Sequence, residues 1–196
     1  LKNENQLLPL DAKSLKSIAI IGPNADQVQF GDYTWSRNNK DGVTPLQGIK
    51  NRVNKNTAIH YAKGCSLTSL DTSGIAEAVE AAKNSEVAVI FGGSASAALA
   101  RDYKSSTCGE GFDLNDLNLT GAQSQLIREV YRTGTPVILV LVTGKPFVIE
   151  WEKNNLPAIL VQWYAGEQAG NSIADILFGE VVPSGRLTFS FPRSTG

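Results

Sequence analysis

Methionine is absent from this 196-residue chain, histidine occurs once and cysteine twice. A single histidine, His60, leaves little room for a Ser-His or Cys-His nucleophile pair, which needs a base beside its nucleophile. His60 lies in Thr57-Ala-Ile-His-Tyr61 and reads as a plain strand position. Cys65 and Cys108 either form one bridge or stand as two reduced thiols, and the sequence leaves both open. No spacing of ligand residues suggests a metal, and none is expected. No apolar run approaches the roughly 20 residues of a membrane span; the longest, Val137-Ile-Leu-Val-Leu-Val142, has the length of a strand. Charge of one sign is nowhere concentrated, and the formal net charge is -1. That argues against nucleic acid or an anionic membrane as the main partner. Leu1 to Leu10 has neither the basic start nor the apolar centre of a signal peptide. With no methionine and a start at Leu1, the chain is expected to be an excised piece of a longer polypeptide.

A glycine-rich phosphate loop is missing too. Ile20-Ile-Gly22 runs into Pro23-Asn-Ala-Asp-Gln27, where Pro23 removes an amide donor and no further glycine follows at dinucleotide spacing. No cofactor is expected. This discriminates against a flavodoxin-like nucleotide binder, a function that strand-helix alternation alone would suggest.

What is present fits one α/β domain over residues 1–196. Hydrophobic residues make up 42% and charged residues 19%, an ordinary soluble balance. Ser17-Ile-Ala-Ile-Ile-Gly22 is a short β-branched run ending in a turn, the pattern of a buried parallel strand, and Thr57 to Tyr61, Glu86 to Phe91, Pro136 to Thr143 and Ala158 to Trp163 read as further strands. Pro136 to Thr143 is the most hydrophobic and is expected at the centre of the sheet. Between them lie helical patterns. Ile75, Ala78, Val79 and Ala82 line one stripe of Ser73 to Lys83. Leu126, Ile127, Val130 and Tyr131 give the buried face of a helix that a Thr120/Gln123 capping box should open. A helix beginning at Phe147 follows. Gln168 to Phe178 is another helix, with Gly179 placed to cap its C-terminus. Leu187 to Phe191 is expected as a last short strand. The alternation predicts a mostly parallel sheet sandwiched by helices, a flavodoxin-like three-layer αβα fold.

The exception is Arg101 to Leu119. More than twenty residues without sustained period separate Gly93 from Thr120, and compact domains rarely carry such loops without a use for them. The loop holds Tyr103, Cys108 and Phe112 among its glycines, serines and charges. At its centre Glu110 stands between Gly109 and Gly111, which free the backbone to point the side chain outward. Glu110 is either a solvated loop carboxylate or a general acid/base reaching into a site that another element completes. In the second role its pKa must be raised toward working pH. Asp113 is placed to bond loop amides and fix the tip. Cys108 has nothing basic placed to activate it. Glu150, Glu152 and Glu167 sit near predicted helix starts, where the helix dipole explains them. The polar and aromatic Asp32 to Asp41 reads as a surface loop, suited to sugar or peptide contact or to packing.

Gly109-Glu-Gly-Phe-Asp-Leu-Asn-Asp-Leu-Asn-Leu119 with Gln123 and Leu126-Ile127 resembles a motif of glycoside hydrolase family 3. So do Pro157 to Gly179, Pro183 to Pro192, Leu1 to Leu10, Ile20 to Ala25 and Gly144-Lys-Pro-Phe147, so the likeness covers essentially the whole chain. What the chain resembles is the second, α/β-sandwich domain of these retaining exo-β-glycosidases. The resemblance implies a two-carboxylate double displacement, with the nucleophile Asp on a preceding barrel domain that this chain lacks. It implies an oligosaccharide or glycoside substrate, that barrel domain as partner, and a periplasmic or secreted location. It places Glu110 at the acid/base position and Asp113 at the Asp of an E-G-x-D-R pattern; Leu114 departs from the usual Arg. Gly31-Asp-Tyr-Thr-Trp35 and Gly42-Val-Thr-Pro-Leu46 are similar to xylosidase-like members, and glucosidase stays open. A non-catalytic carbohydrate-binding or structural module remains the alternative.

Overall fold

A computed structural model describes residues 2–36, 38–96, 107–111 and 115–196. Its centre is a six-stranded sheet in the order β1-β6-β5-β4-β2-β3. The strands are β1 (Lys2–Asn3), β2 (Ser17–Ile21), β3 (Ala58–Ala62), β4 (Val87–Gly93), β5 (Val137–Val142) and β6 (Ala158–Val161). All neighbours pair in parallel except β1, which runs antiparallel along the β6 edge. The helices are α1 (Pro45–Arg52), α2 (Ile75–Lys83), α3 (Gln123–Tyr131), α4 (Glu150–Asn155) and α5 (Ala169–Leu177).

The inner strands form where β-branched and aliphatic runs have room to be buried on both faces, whereas the edge strand β3 is buried only at Ala62. Every residue of β4 and β5 is buried, and these two strands lie at the middle of the sheet, as the hydrophobicity of Pro136 to Thr143 predicts. Alternate residues feed two cores. Ala19, Ile21, Ala88, Ile90, Leu139 and Leu141 face α2, α3 and the start of α4. Ile18, Ile20, Val89, Phe91, Ile138 and Val140 face α1 and α5. The result is the expected three-layer sandwich.

Helices α1 and α5 cross almost backbone to backbone. A Cβ on Gly48 would lie 2.0 Å from Gly170 O, and a Cβ on Gly170 would lie 2.0 Å from Thr44 O. Only glycine permits that approach. Arg52 closes the pair from outside by bridging to Asp175 and, at 3.5 Å, to Glu180. Gly179 has φ +81 and its N–H reaches Ile176 O at 3.3 Å, the C-terminal stop expected of it.

Four local expectations differ from the structure. The Thr120/Gln123 capping box does not form: α3 has no side-chain N-cap bond, because Gln123 is buried and turned toward β4. Residues 187–191 form no strand; Phe189 instead packs edge-on against Trp163 at 5.4 Å and stacks with Phe191. Tyr131 is not part of the buried face of α3. It is 38% exposed and meets the Trp151 ring edge-on at 5.4 Å. Glu152 lies in the first turn of α4 but is buried, so it is more than a solvated partner of the helix dipole.

Candidate active site

Parallel strands β3-β2-β4-β5-β6 are ordered as 2-1-3-4-5, so the winding direction reverses between β2 and β4. In open α/β sheets ligands collect outside the carboxyl ends of the strands at such a point. Asn24 follows β2 and Ser94 follows β4 at this junction. Asn24 is fully buried. Its Nδ2 donates to Gly92 O at 3.3 Å and Ser94 O at 3.4 Å, and its Oδ1 accepts from Gln29 Nε2 at 2.8 Å. Gly22 makes the turn into this segment with φ +115, and a Cβ there would sit 2.4 Å from Phe91 O.

The long loop leaves from this edge and returns to it. Ala95 N–H bonds Thr107 Oγ1 at 3.1 Å, and Thr107 N–H bonds Ala95 O at 2.9 Å. Ser96 and Cys108 form an isolated parallel bridge. A buried chain of polar groups then pins Cys108. Its Sγ is 2.7 Å from Tyr164 Oη, Tyr164 Oη is 2.7 Å from Ser94 Oγ, and Ser94 Oγ donates to Thr143 Oγ1 at 3.1 Å. Thr143 Oγ1 donates to Lys145 O at 2.7 Å, an acceptor only. Each hydroxyl has one hydrogen, so the direction is fixed: thiol to phenol to serine to threonine to carbonyl. Burial, then the Cys108 sulfur beside it, pushes the Tyr164 phenol well above its ordinary pKa, so Tyr164 is a neutral donor.

Glu110 lies two residues beyond Cys108. Gly109 and Gly111 have φ +131 and +67, conformations that favour glycine. Glu110 is exposed, and its backbone N–H bonds Asp32 Oδ2 at 2.8 Å. Asp32 Oδ1 is buried without a hydrogen-bond partner among the described residues. Asp113 and Leu114 lie outside the described residues. On the same edge Lys145 Nζ is buried with no hydrogen-bond partner among the described residues and lies 5.0 Å from the centre of the Phe147 ring. Burial lowers its pKa, with Cys108 and Asp116 opposing. Cys65 and Cys108 are both free and buried. Among the described residues no group of three or more His, Cys, Asp or Glu could hold a metal ion. No helix among them is long and apolar enough to cross a membrane.

All of residues 1–196 match the model of the glycosyl hydrolase family 3 C-terminal domain. The chain belongs to this family. It is 43% identical over its full length to a β-xylosidase of Formosa agariphila and 38% identical to a periplasmic β-glucosidase of Salmonella typhimurium, covering 27% of each. Among solved structures it superimposes on a β-glucosidase of Erythrobacter marinus with TM-score 0.86 and 31% identity, covering all of this chain and 28% of that one. A family 3 exo-β-xylosidase bound to a xylobiose aziridine probe gives TM-score 0.81 and 31% identity, over 95% of this chain and 23% of that one. The family 3 domain thus spans about a quarter of the length of these relatives. Sequence reasoning singled out Glu110 as a candidate, set Cys108 aside as an unactivated thiol, and gave no individual role to Asn24, Asp32, Ser94, Thr143 and Tyr164. Each is a single polar residue at a strand end or in a loop, with no spacing to mark it; the one available signal was that a loop after a parallel strand faces the ligand edge.

Proposed function

We propose that this family 3 domain is the second domain of a larger retaining exo-β-glycosidase, and that Glu110 is its general acid/base. The substrate class is a terminal non-reducing β-linked sugar, β-xyloside or β-glucoside. The observation that carries the reading is the placement of Glu110. It is an exposed carboxylate between two left-handed glycines, on a loop whose return arm is pinned by Tyr164 and whose tip is held by Asp32. A carboxyl group that must enter a second body's cleft needs both exposure and a fixed base.

Retention requires a second carboxylate about 5–5.5 Å away as nucleophile. Asp32 is unsuited to that step, because one oxygen accepts the Glu110 amide and the other is buried. By the resemblance to family 3, the nucleophile in this reading is an Asp on a preceding barrel domain. Glu110 protonates the leaving glycosidic oxygen, then removes the proton of the water that frees the sugar from that nucleophile. Two consequences are measurable. The 196-residue chain alone does not hydrolyse an aryl β-glycoside, and robust turnover by it would overturn the division of labour. In the full-length enzyme Glu110→Ala loses about 10²–10⁴-fold on natural substrates. Azide restores turnover on an activated aryl glycoside and yields the β-glycosyl azide. Normal activity without azide would assign the acid elsewhere.

The exposed rings of Tyr33 and Trp35, 81% and 95% accessible, favour a second reading, in which these loops only shape a carbohydrate-binding mouth. Sugar binding by the domain alone would support it.

A further inference from the structure

The residue that holds the tip of the loop is seventy-eight positions away from Glu110 in sequence. Asp32 Oδ2 accepts the Glu110 amide, and its other oxygen is buried with no partner among the described residues. A carboxylate with one oxygen buried and unpaired carries a desolvation penalty, so Asp32 stabilises this fold poorly. Its position is nevertheless well defined. Tyr33, the next residue, takes φ +63. Thr34 Oγ1 is 3.0 Å from Gly31 O and 3.2 Å from Ser36 O. A Cβ on Gly31 would meet Tyr164 at 3.8 Å, so this loop abuts the same tyrosine whose hydroxyl pins Cys108. Two loops far apart in sequence thus take a common reference in Tyr164, and Asp32 joins them at the Glu110 amide.

We propose that Asp32 is the positioning residue of the acid/base, fixing where Glu110 stands by accepting its backbone N–H. The inference rests on Glu110 being the acid/base. Asp32 transfers no proton itself. Its effect is geometric, and a displacement of an acid by an ångström is enough to slow protonation of a leaving group severely.

The effect of Asp32 should depend on how much acid help the leaving group needs. The experiment compares kcat/KM of the full-length enzyme, Asp32→Ala, Asp32→Asn and Glu110→Ala across aryl β-xylosides and β-glucosides of graded leaving-group pKa. kcat/KM reports the first, glycosylating step. Asp32→Ala should lose about tenfold on phenyl glycosides and under about threefold on 2,4-dinitrophenyl glycosides, a steepened dependence in the direction of Glu110→Ala. Asp32→Asn keeps an oxygen acceptor of the same shape and should stay within about threefold of the native enzyme throughout. Asp32→Leu, which is near-isosteric and lacks an acceptor, replaces the alanine variant if that one does not fold. A partly misfolded enzyme loses equally on all leaving groups, so the slope separates positioning from stability. A steep slope for Glu110→Ala beside a flat one for Asp32→Ala overturns this inference alone, as does an asparagine variant as impaired as alanine. A flat slope for Glu110→Ala overturns the reading of Glu110 and this inference with it.

Discussion

The side-chain amide of Gln123 closes on Gly93, the last residue of the central strand β4. Its Nε2 donates to Gly93 O at 3.0 Å and its Oε1 accepts from Gly93 N–H at 2.8 Å. Nε2 also reaches Leu67 O at 3.1 Å. A helix start and the carboxyl end of β4 are joined by what amounts to one extra rung of sheet pairing. That join sets where the polypeptide leaves the sheet toward Ser94 and the site. Leucine at 123 would fill the space but orphan a buried N–H and a buried carbonyl, at about 1–3 kcal/mol each. Gln123→Leu should lower the urea midpoint by the equivalent of about 3 kcal/mol with an unchanged slope. A loss within error of zero would show that water replaces the amide freely.

The crossing of α1 and α5 makes a sharper demand. A methyl group on Gly170 would fall 2.0 Å from the Thr44 carbonyl oxygen, which is itself bonded to Gly48 N–H at 2.8 Å. Neither backbone can retreat without opening the core around Ile49 and Ile173. Gly170→Ala should cost about 3 kcal/mol and lower Tm by about 10 °C in a chain of this size. Calorimetry reads this directly, and an unchanged Tm would mean that the helices slide apart cheaply.

The parts of this molecule legible in its sequence are those where burial alone decides. Val137 to Val142 and Val87 to Gly93 are uninterrupted because both faces of the central strands are covered, and no polar residue can interrupt them. Ile75, Ala78 and Ala82 show their periodicity for the same reason. Leu187 to Phe191 carries a similar apolar signal but lies at the surface. There Trp163 offers Phe189 a ring to pack on, and no strand edge receives the backbone. Thr120 and Gln123 have capping-box spacing, yet tertiary contacts outbid it: Thr120 bonds Leu67 O and Gln123 goes to Gly93. Glu110 stood out as a candidate because two glycines isolate it. Asp32, which holds it, was not, because a contact spanning seventy-eight positions leaves no local pattern.

The two cysteines differ from a bridged pair in a way thiol chemistry can read. Both are free and buried, and burial pushes the Cys65 thiol up to about 11, with Lys63 opposing. The reactive form is the thiolate, so at pH 8 Cys65 in the folded chain is both hidden and protonated. A chromogenic disulfide reagent should leave Cys65 unlabelled in the native protein and should titrate two thiols in denaturant without reductant. Fewer than two thiols in denaturant would mean that a disulfide had formed.

The buried carboxyl of Glu152 gives the fold a pH dependence of predictable sign. Burial raises its pKa above the ordinary carboxylate value, partly offset by its own backbone amide and by Arg128. Arg128 is itself placed over the Trp151 ring at 5.0 Å, which keeps α3 and α4 together at this point. A raised folded pKa means that the folded state holds the proton more tightly than the unfolded chain. The contribution to stability is therefore fully present below the unfolded pKa of about 4.3 and is lost as pH rises through the folded value. Ionising Glu152 puts a charge in a buried site of the folded chain, a cost that glutamine does not carry. Glu152→Gln should thus be more stable than the native chain at pH 7, with the difference shrinking as pH falls toward 4. Paired urea titrations at several pH values measure both curves. A difference that stays constant from pH 4 to 7, or a variant less stable at pH 7, would show that the charged form is well paired with Arg128 and that its burial costs nothing.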